Sequence, residues 1–217
     1  MVRMRTRKND MNTNKVSKTL LKRLPVYLNY IKTLPEHTES ISATKIAKAL
    51  DLGDVLVRKD LAKVSDGGRR KLGYVREDLI RDIEEFLDVN RTACAVIVGA
   101  GKLGQALLDY DGFEKSGLQI LAGFDICPGG PRTGGGKPIF PMSRLEAYCR
   151  ANDVTIGIIT VPAEHAQKVC DQLVACDVEA IWNFSPVHLS VPEHVVIQSE
   201  NLAVSLTALR MQMKNRG

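Results

Sequence analysis

The sequence predicts an α/β chain: a small basic helical domain, then a doubly wound parallel sheet, then a C-terminal helix exchanged between subunits. Three observations carry that expectation. Residues 96–104, Val-Ile-Val-Gly-Ala-Gly-Lys-Leu-Gly, set a glycine-rich turn between a β-branched apolar run and a helical pattern. Residues 1–81 hold 19 Lys and Arg against 9 Asp and Glu, whereas residues 82–217 hold 11 against 16. Finally, Leu202, Leu206, Leu209 and Met213 form a stripe at helical spacing after the sheet has received its covering layers.

The glycine turn justifies the second domain. Gly99 permits the tight turn off the strand, Gly101 admits a pyrophosphate close to the backbone, and Gly104 lets helix and strand pack closely. Ala100, Lys102 and Leu103 complete the turn, and the helix start offers backbone N–H groups to phosphate. Gln119 to Phe124 reads as the next strand and ends in Asp125, about 20 residues past the glycines, where a carboxylate accepts from ribose hydroxyls. The pattern is that of a Rossmann fold. An aspartate here also opposes a 2′-phosphate, which favours NADH and NAD+ over the phosphorylated cofactors; Arg132 nearby is the residue that would argue otherwise.

The charge split justifies the first domain. An excess of +10 confined to residues 1–81 points to a polyanion as the partner of that half alone. Residues 1–15 are polar, basic and aperiodic, and are expected to form a disordered arm. A first helix is expected over Val16 to Thr33, with Leu20, Leu21, Leu24, Leu28 and Ile31 inward and Pro25 as a local distortion. Ser40-Ile41-Ser42 reads as the start of a second helix over Ala43 to Leu50. The glycine turn Leu52-Gly53-Asp54 follows, and Asp54 is expected to cap a third helix running to Val64. Val55, Leu56, Leu61 and Val64 would form its buried side, leaving Arg58, Lys59 and Lys63 free for the major groove. Asp66 to Tyr74, with Arg69, Arg70 and Lys71 between glycines, reads as the basic hairpin of a winged helix.

Farther along, Asp78 to Leu87 is amphipathic and is expected to link the domains. Lys137 to Phe140, Val154 to Thr160 and Ala180 to Asn183 read as further strands, with helices near Ser143 to Arg150 and from Val161-Pro162-Ala163 to about Ala175. In an open α/β sheet the ligand lies beyond the strand carboxyl ends. That places Val161, Pro162, Ala163 and the stretch Asn183 to Val187 beside the glycine turn. No catalytic or metal-binding set emerges: His165 and His188 have no carboxylate partner in the sequence, and the five cysteines form no CxxC pair. No run is long and apolar enough to span a bilayer, and Met1 to Lys15 lacks a signal-peptide core, so the expected compartment is the cytoplasm. The expected bounds are thus 1–15 for the arm, 16–81 for the winged-helix DNA-binding domain, 82–198 for the Rossmann domain and 199–217 for a dimerising C-terminal helix.

The ordered set of short motifs from Lys18 to Leu209 resembles the Rex family of redox-sensing transcriptional repressors. It comprises Lys22-Arg23-Leu24-Pro25-Val26-Tyr27, Val57-Arg58-Lys59-Asp60-Leu61, Leu72-Gly73-Tyr74, Val98 to Gly104, Tyr110-Asp111-Gly112-Phe113, Phe124-Asp125, Val161-Pro162-Ala163, Asn183 to Val187 and Leu202-Ala203-Val204. The resemblance implies a homodimer with an exchanged C-terminal helix that binds operator DNA when NADH is scarce and lets go when NADH binds. It puts cofactor contacts on Gly99 to Gly104, Asp125, Val161 to Ala163 and Phe184, and DNA contacts on the helix bearing Arg58 and Lys59 and on the wing. It also implies a latch between subunits, for which Arg23 and Tyr110 match while Asn201 stands where the family has an aspartate. Ser65 and Lys71 replace glycines of the family wing. A neutral amide cannot give arginine a charge-assisted bond, so the expected consequence is weakened or rewired coupling between NADH and DNA. The alternative readings are a small NAD-dependent oxidoreductase or a CoA-binding Rossmann protein, neither of which accounts for the basic front half.

Overall fold

The computed structural model describes residues 17–69, 72–89 and 92–214, in two compact units that divide at Asn90/Arg91. The expected basic arm, residues 1–15, lies outside the described residues, as do Arg70 and Lys71.

In the first unit, α1 (Lys18–Lys32) begins at Ser17, whose Oγ accepts from the Leu20 N–H. Pro25 sits inside α1 without ending it. Its face is exposed, as is Leu21 one turn back, so water can reach the carbonyl that proline leaves without a donor. Leu21 therefore does not join the buried stripe; Tyr27, wholly buried, does. The two-residue strand β1 (Ser40–Ile41) precedes α2 (Ala43–Ala49), capped by Ser42 Oγ on the Lys45 N–H at 3.1 Å.

Next comes α3 (Asp54–Leu61), which ends three residues before the expected Val64 and buries a partly different face. Val57, Asp60 and Leu61 are buried, whereas Val55 and Leu56 are exposed. The cap also differs from expectation. Gly53, which has no side chain to bond with, occupies the N-cap, and Asp54 is already the first residue of the helix. β2 (Tyr74–Val75) returns antiparallel to β1, pairing Ile41 with Tyr74, and Arg69 bridges to Gly73 at the base of the turn. α4 (Arg76–Phe86) then packs on α1, with Leu79 and Ile83 wholly buried in the core of this unit. Residues 82–89 thus belong with the first unit rather than with the sheet, because Leu79 and Ile83 sit one turn apart on the same buried face.

The second unit is a six-stranded sheet in the order β5-β4-β3-β6-β7-β8, every pairing parallel. The strands are β3 (Ala93–Val98), β4 (Leu118–Asp125), β5 (Ile139–Pro141), β6 (Ile156–Ile159), β7 (Ala180–Asn183) and β8 (Val196–Ser199). The crossovers include α5 (Lys102–Leu108), α6 (Leu145–Ala151) and α7 (Ala163–Val174). The order reverses between β3 and β6, which is the switch point of a doubly wound fold. One buried cluster (Val96, Val98, Phe124, Ile159, Cys170) fills one face of the sheet and another (Ala95, Ile97, Leu108, Ile120, Ile158) the opposite face. The inward face of α5 consists of Leu108 with Leu107 half-buried; Leu103 stays exposed at the solvent side of its first turn. β8 extends the sheet by one strand more than the sequence foretold.

α8 (Leu202–Lys214) has no buried residue, and Leu202, Val204, Leu206, Leu209, Met211 and Met213 are all open. Apolar side chains spaced around so much of a helix leave it without a partner among the described residues.

Candidate nucleotide cleft and nucleic-acid interface

The carboxyl ends of β3, β4 and β6 surround a cleft of about 610 Å³ lined by Gly99, Gly101, Asp125, Thr160, Val161 and Pro162, among others. The three glycines answer to three separate constraints. Gly99 has φ +101°, and a Cβ on it would stand 2.9 Å from the Thr160 carbonyl carbon. A Cβ on Gly104 would fall 1.9 Å from the Gly99 oxygen, so no side chain fits where α5 leans on the turn. Around Gly101 nothing lies within 4 Å of such a Cβ. That open space, above an unhindered backbone, is the approach a pyrophosphate needs.

Asp125 closes the turn from β4. Its Oδ2 accepts from the Ala100 N–H at 2.7 Å and its Oδ1 from the Cys127 N–H at 2.9 Å. Each oxygen keeps a lone pair for a ribose hydroxyl, while its charge opposes a 2′-phosphate. Arg132 is engaged with the Gly136 carbonyl at 2.6 Å. Thr160 Oγ1 donates to the Gly99 carbonyl at 2.6 Å and fixes the turn against β6. The residues present therefore fit a dinucleotide lacking a 2′-phosphate.

Of the other expected contacts, Lys102, Leu103 and Gly104 lie on α5, and Ala163 opens α7. Phe184 follows β7, its ring 4.6 Å from Trp182, which in turn meets Phe113 and, through it, Tyr110. Ser185 Oγ donates to the Val161 carbonyl at 2.5 Å, binding the two strand ends together. His165 and Lys168 of α7 also line the cleft. The sequence carried no signal for Lys168. For His165 the signal was its place one turn past Pro162.

In the first unit, Arg58, Lys59 and Lys63 all lie on the exposed side of α3 and just beyond it, and Arg69 is exposed at the hairpin base. Arg58 Nη2 donates to Asp54 Oδ2 at 2.6 Å, and Asp54 Oδ1 accepts from Thr44 Oγ1 at 2.7 Å, so α2 and α3 are joined at their starts. Ser65 is buried: its Oγ donates to Asp82 at 2.5 Å and accepts from the Gly67 N–H.

The three residues implied as a latch are placed as follows. Arg23 grips Asp60 of α3 through Nε and Nη2 at 2.7 and 2.9 Å, and Tyr27 adds a third bond at 2.9 Å. Burial pushes the Asp60 carboxyl upward, but the bonds from Arg23 and Tyr27 and the Arg23 charge outweigh it and hold it below its ordinary value. Tyr110 is exposed, and Asn201 Oδ1 accepts from the Val204 N–H at 3.0 Å, capping α8.

A basic helix–turn–helix unit with a hairpin, joined in one chain to a dinucleotide-type cleft, defines the class: a nucleotide-responsive DNA-binding regulator. The family comparisons agree. Residues 15–62 match the family model described as "Putative DNA-binding protein N-terminus" and residues 90–187 the model "CoA binding domain". The redox-sensing transcriptional repressor Rex of Porphyromonas gingivalis is 40% identical, with 93% of each chain covered. That of Treponema denticola is 37% identical over 90% of this chain and 94% of its own. A solved structure of RSP, in complex with β-NAD+ and operator DNA, matches with a TM-score of 0.86 at 30% identity, covering 93% and 94% of the two chains. RSP with β-NADH gives 0.81 at 30%, covering 93% and 95%. The chain belongs to the Rex family of redox-sensing transcriptional repressors.

Proposed function

We propose that this chain is a transcriptional repressor that holds operator DNA through its first unit and releases it when its second unit takes up NADH. The observation that carries the reading is the union, in one polypeptide, of an exposed cationic recognition helix with a glycine turn whose Gly101 faces open space beside Asp125. Gly99 to Gly104 and Asp125 would hold the diphosphate and ribose. Val161 to Ala163 and Phe184, at the next strand ends, would meet the nicotinamide half; an apolar wall there disfavours the charged oxidised ring. Arg58, Lys59, Lys63, Arg69 and the wing cations Arg70 and Lys71 would meet DNA. No bond is made or broken: the cofactor shifts the balance between two arrangements only as far as its affinity for them differs.

The exposed apolar surface of α8 supports a homodimer in which this helix docks on the partner subunit, with Arg23, Tyr110 and Asn201 as the latch between subunits. Two recognition helices would then meet two half-sites about one helical turn apart. The cytoplasm is the compartment where such a sensor meets both DNA and NADH. No helix among the described residues is long and apolar enough to cross a membrane.

Gel shifts on sequences recovered from genomic pull-down, run with NADH, with NAD+, with CoA and with no ligand, test the reading. Release by NADH alone supports it. Release by CoA alone would transfer the cleft to the ligand for which the matched domain model is named, and turnover of NADH would favour an oxidoreductase.

A further inference from the structure

The outward stripe of α3 is not uniformly cationic. Val55, Arg58, Lys59, Ala62 and Lys63 recur three and four residues apart on the exposed side, so one apolar residue leads a basic row. Val55 is 65% exposed and its neighbour Leu56 38%. Neither contributes to the unit's core, which Val57 and Leu61 already serve from the same helix. Local propensity does not ask for Val55 either, since a β-branched residue on an exposed helical turn is less favourable than alanine.

We propose that Val55, with Leu56 beside it, is a specificity-determining residue that receives the 5-methyl group of a thymine next to the base pair addressed by Arg58. This rests on the DNA-binding reading above. Three observations converge on that occupant. The flanking cations demand a polyanion and would repel a second copy of the same basic face. The first turn of a recognition helix is the part that reaches base edges in the major groove. In that groove the thymine methyl is the apolar feature that side chains such as alanine or phenylalanine contact. Arg58 is also tied back to the start of the helix, its Nη2 donating to Asp54 Oδ2 at 2.6 Å while Asp54 Oδ1 accepts from Thr44 Oγ1 at 2.7 Å, so the arginine leaves the helix beside Val55.

The test uses the full chain and a duplex that it selects from a random pool, with copies carrying deoxyuridine in place of each thymidine in turn. For the native chain, loss of one methyl at one position per half-site weakens binding about four-fold, the value of one buried methyl-sized group. In Val55→Ser, whose side chain carries no methyl, the same deoxyuridine copy binds as well as the parent duplex, while the other positions behave as before. Leu56→Ser is a second probe, and a thermal melt of each variant confirms that an exposed site was changed without unfolding the unit. An equal deoxyuridine effect in the native chain and both variants overturns the proposal and leaves DNA binding intact. So does a change in oligomeric state with the methyl effect retained. Failure to bind any duplex removes this inference and the function it rests on together.

Discussion

Arg23 and Asp60 form a two-pronged ion pair that joins α1 to α3, Nε to Oδ2 at 2.7 Å and Nη2 to Oδ1 at 2.9 Å. Asp60 is almost wholly buried, so its charge depends on that grip. Removing one partner of such a pair leaves an uncompensated ion in the core, whereas the Tyr27 hydroxyl still supplies one bond. Arg23→Ala should therefore lose about 2–3 kcal/mol in urea unfolding, below the full cost of a buried orphan because Arg23 itself is partly exposed. Arg23→Lys keeps the charge but not the fork, and should fall between the two. Operator affinity should decline in the same order, since α3 is the element being held.

The same cluster fixes two limbs of the stability profile. Burial first, then the bond to Asp60, pushes Tyr27 up to about 12. A group raised in the folded state stabilises fully below its unfolded value and loses that contribution as pH climbs to the folded one. The alkaline loss should therefore run from about 10 to about 12, at roughly 1.4 kcal/mol per pH unit. Asp60 is lowered, so its contribution is present above the ordinary carboxylate value and disappears as pH falls through the depressed one. Denaturant melts across both limbs, compared with Tyr27→Phe, check this: the variant should start lower and show a flatter alkaline limb.

Gly101 and Gly104 should separate binding from folding. A methyl on Gly101 meets no atom of the chain, and the residue has φ −71°, which alanine adopts freely. Gly101→Ala should melt close to the native temperature yet bind NADH at least about tenfold more weakly, because the methyl fills the diphosphate approach. Gly104→Ala drives a Cβ to 1.9 Å from the Gly99 oxygen and should unfold the second unit at markedly lower denaturant. Fluorescence titration beside a melt distinguishes them; equal loss of both properties in the two variants would contradict the assignment.

The glycine turn was legible because each of its glycines answers a geometric demand that no other residue meets. Ala93–Val98 and the switch-point strand Ile156–Ile159 were legible because they are largely buried on both faces and read as continuous apolar runs. β8 was not, since three of its four residues are exposed and it ends the sheet. Ser40–Ile41 is too short to show a period. The face of α3 was misjudged for a chemical reason: Val55 and Leu56 are as apolar as Val57 and Leu61, and hydropathy cannot tell a side chain kept for the core from one left in water. Asp60 was missed as a core residue because its partner lies 37 positions away in sequence. Ser65, seen as a departure from the family's glycine, is instead tied to Asp82 of α4 and secures the start of the wing.

Leu206 and Leu209 should decide the role of α8. Both are more than half exposed, and an aspartate at each costs a lone helix little while burying charge in any interface formed there. The Leu206→Asp/Leu209→Asp double variant should raise the dimer dissociation constant by roughly 100-fold in sedimentation equilibrium. An unchanged mass would move the dimer contact to some other surface.

Asn201→Asp tests whether the proposed latch is tuned by charge. The native Asn201 already caps α8 through the Val204 N–H, a duty aspartate performs as well, so the helix should be undisturbed. What changes is the charge offered to an arginine. If Arg23 is the latch cation, a carboxylate at 201 competes with Asp60 for it with a charge-assisted bond that the amide cannot make. The release of operator by NADH should then be larger in Asn201→Asp than in the native chain, with NADH affinity in the absence of DNA nearly equal in the two. Measured as the ratio of operator dissociation constants with and without NADH, equal ratios would show that residue 201 takes no part in the coupling.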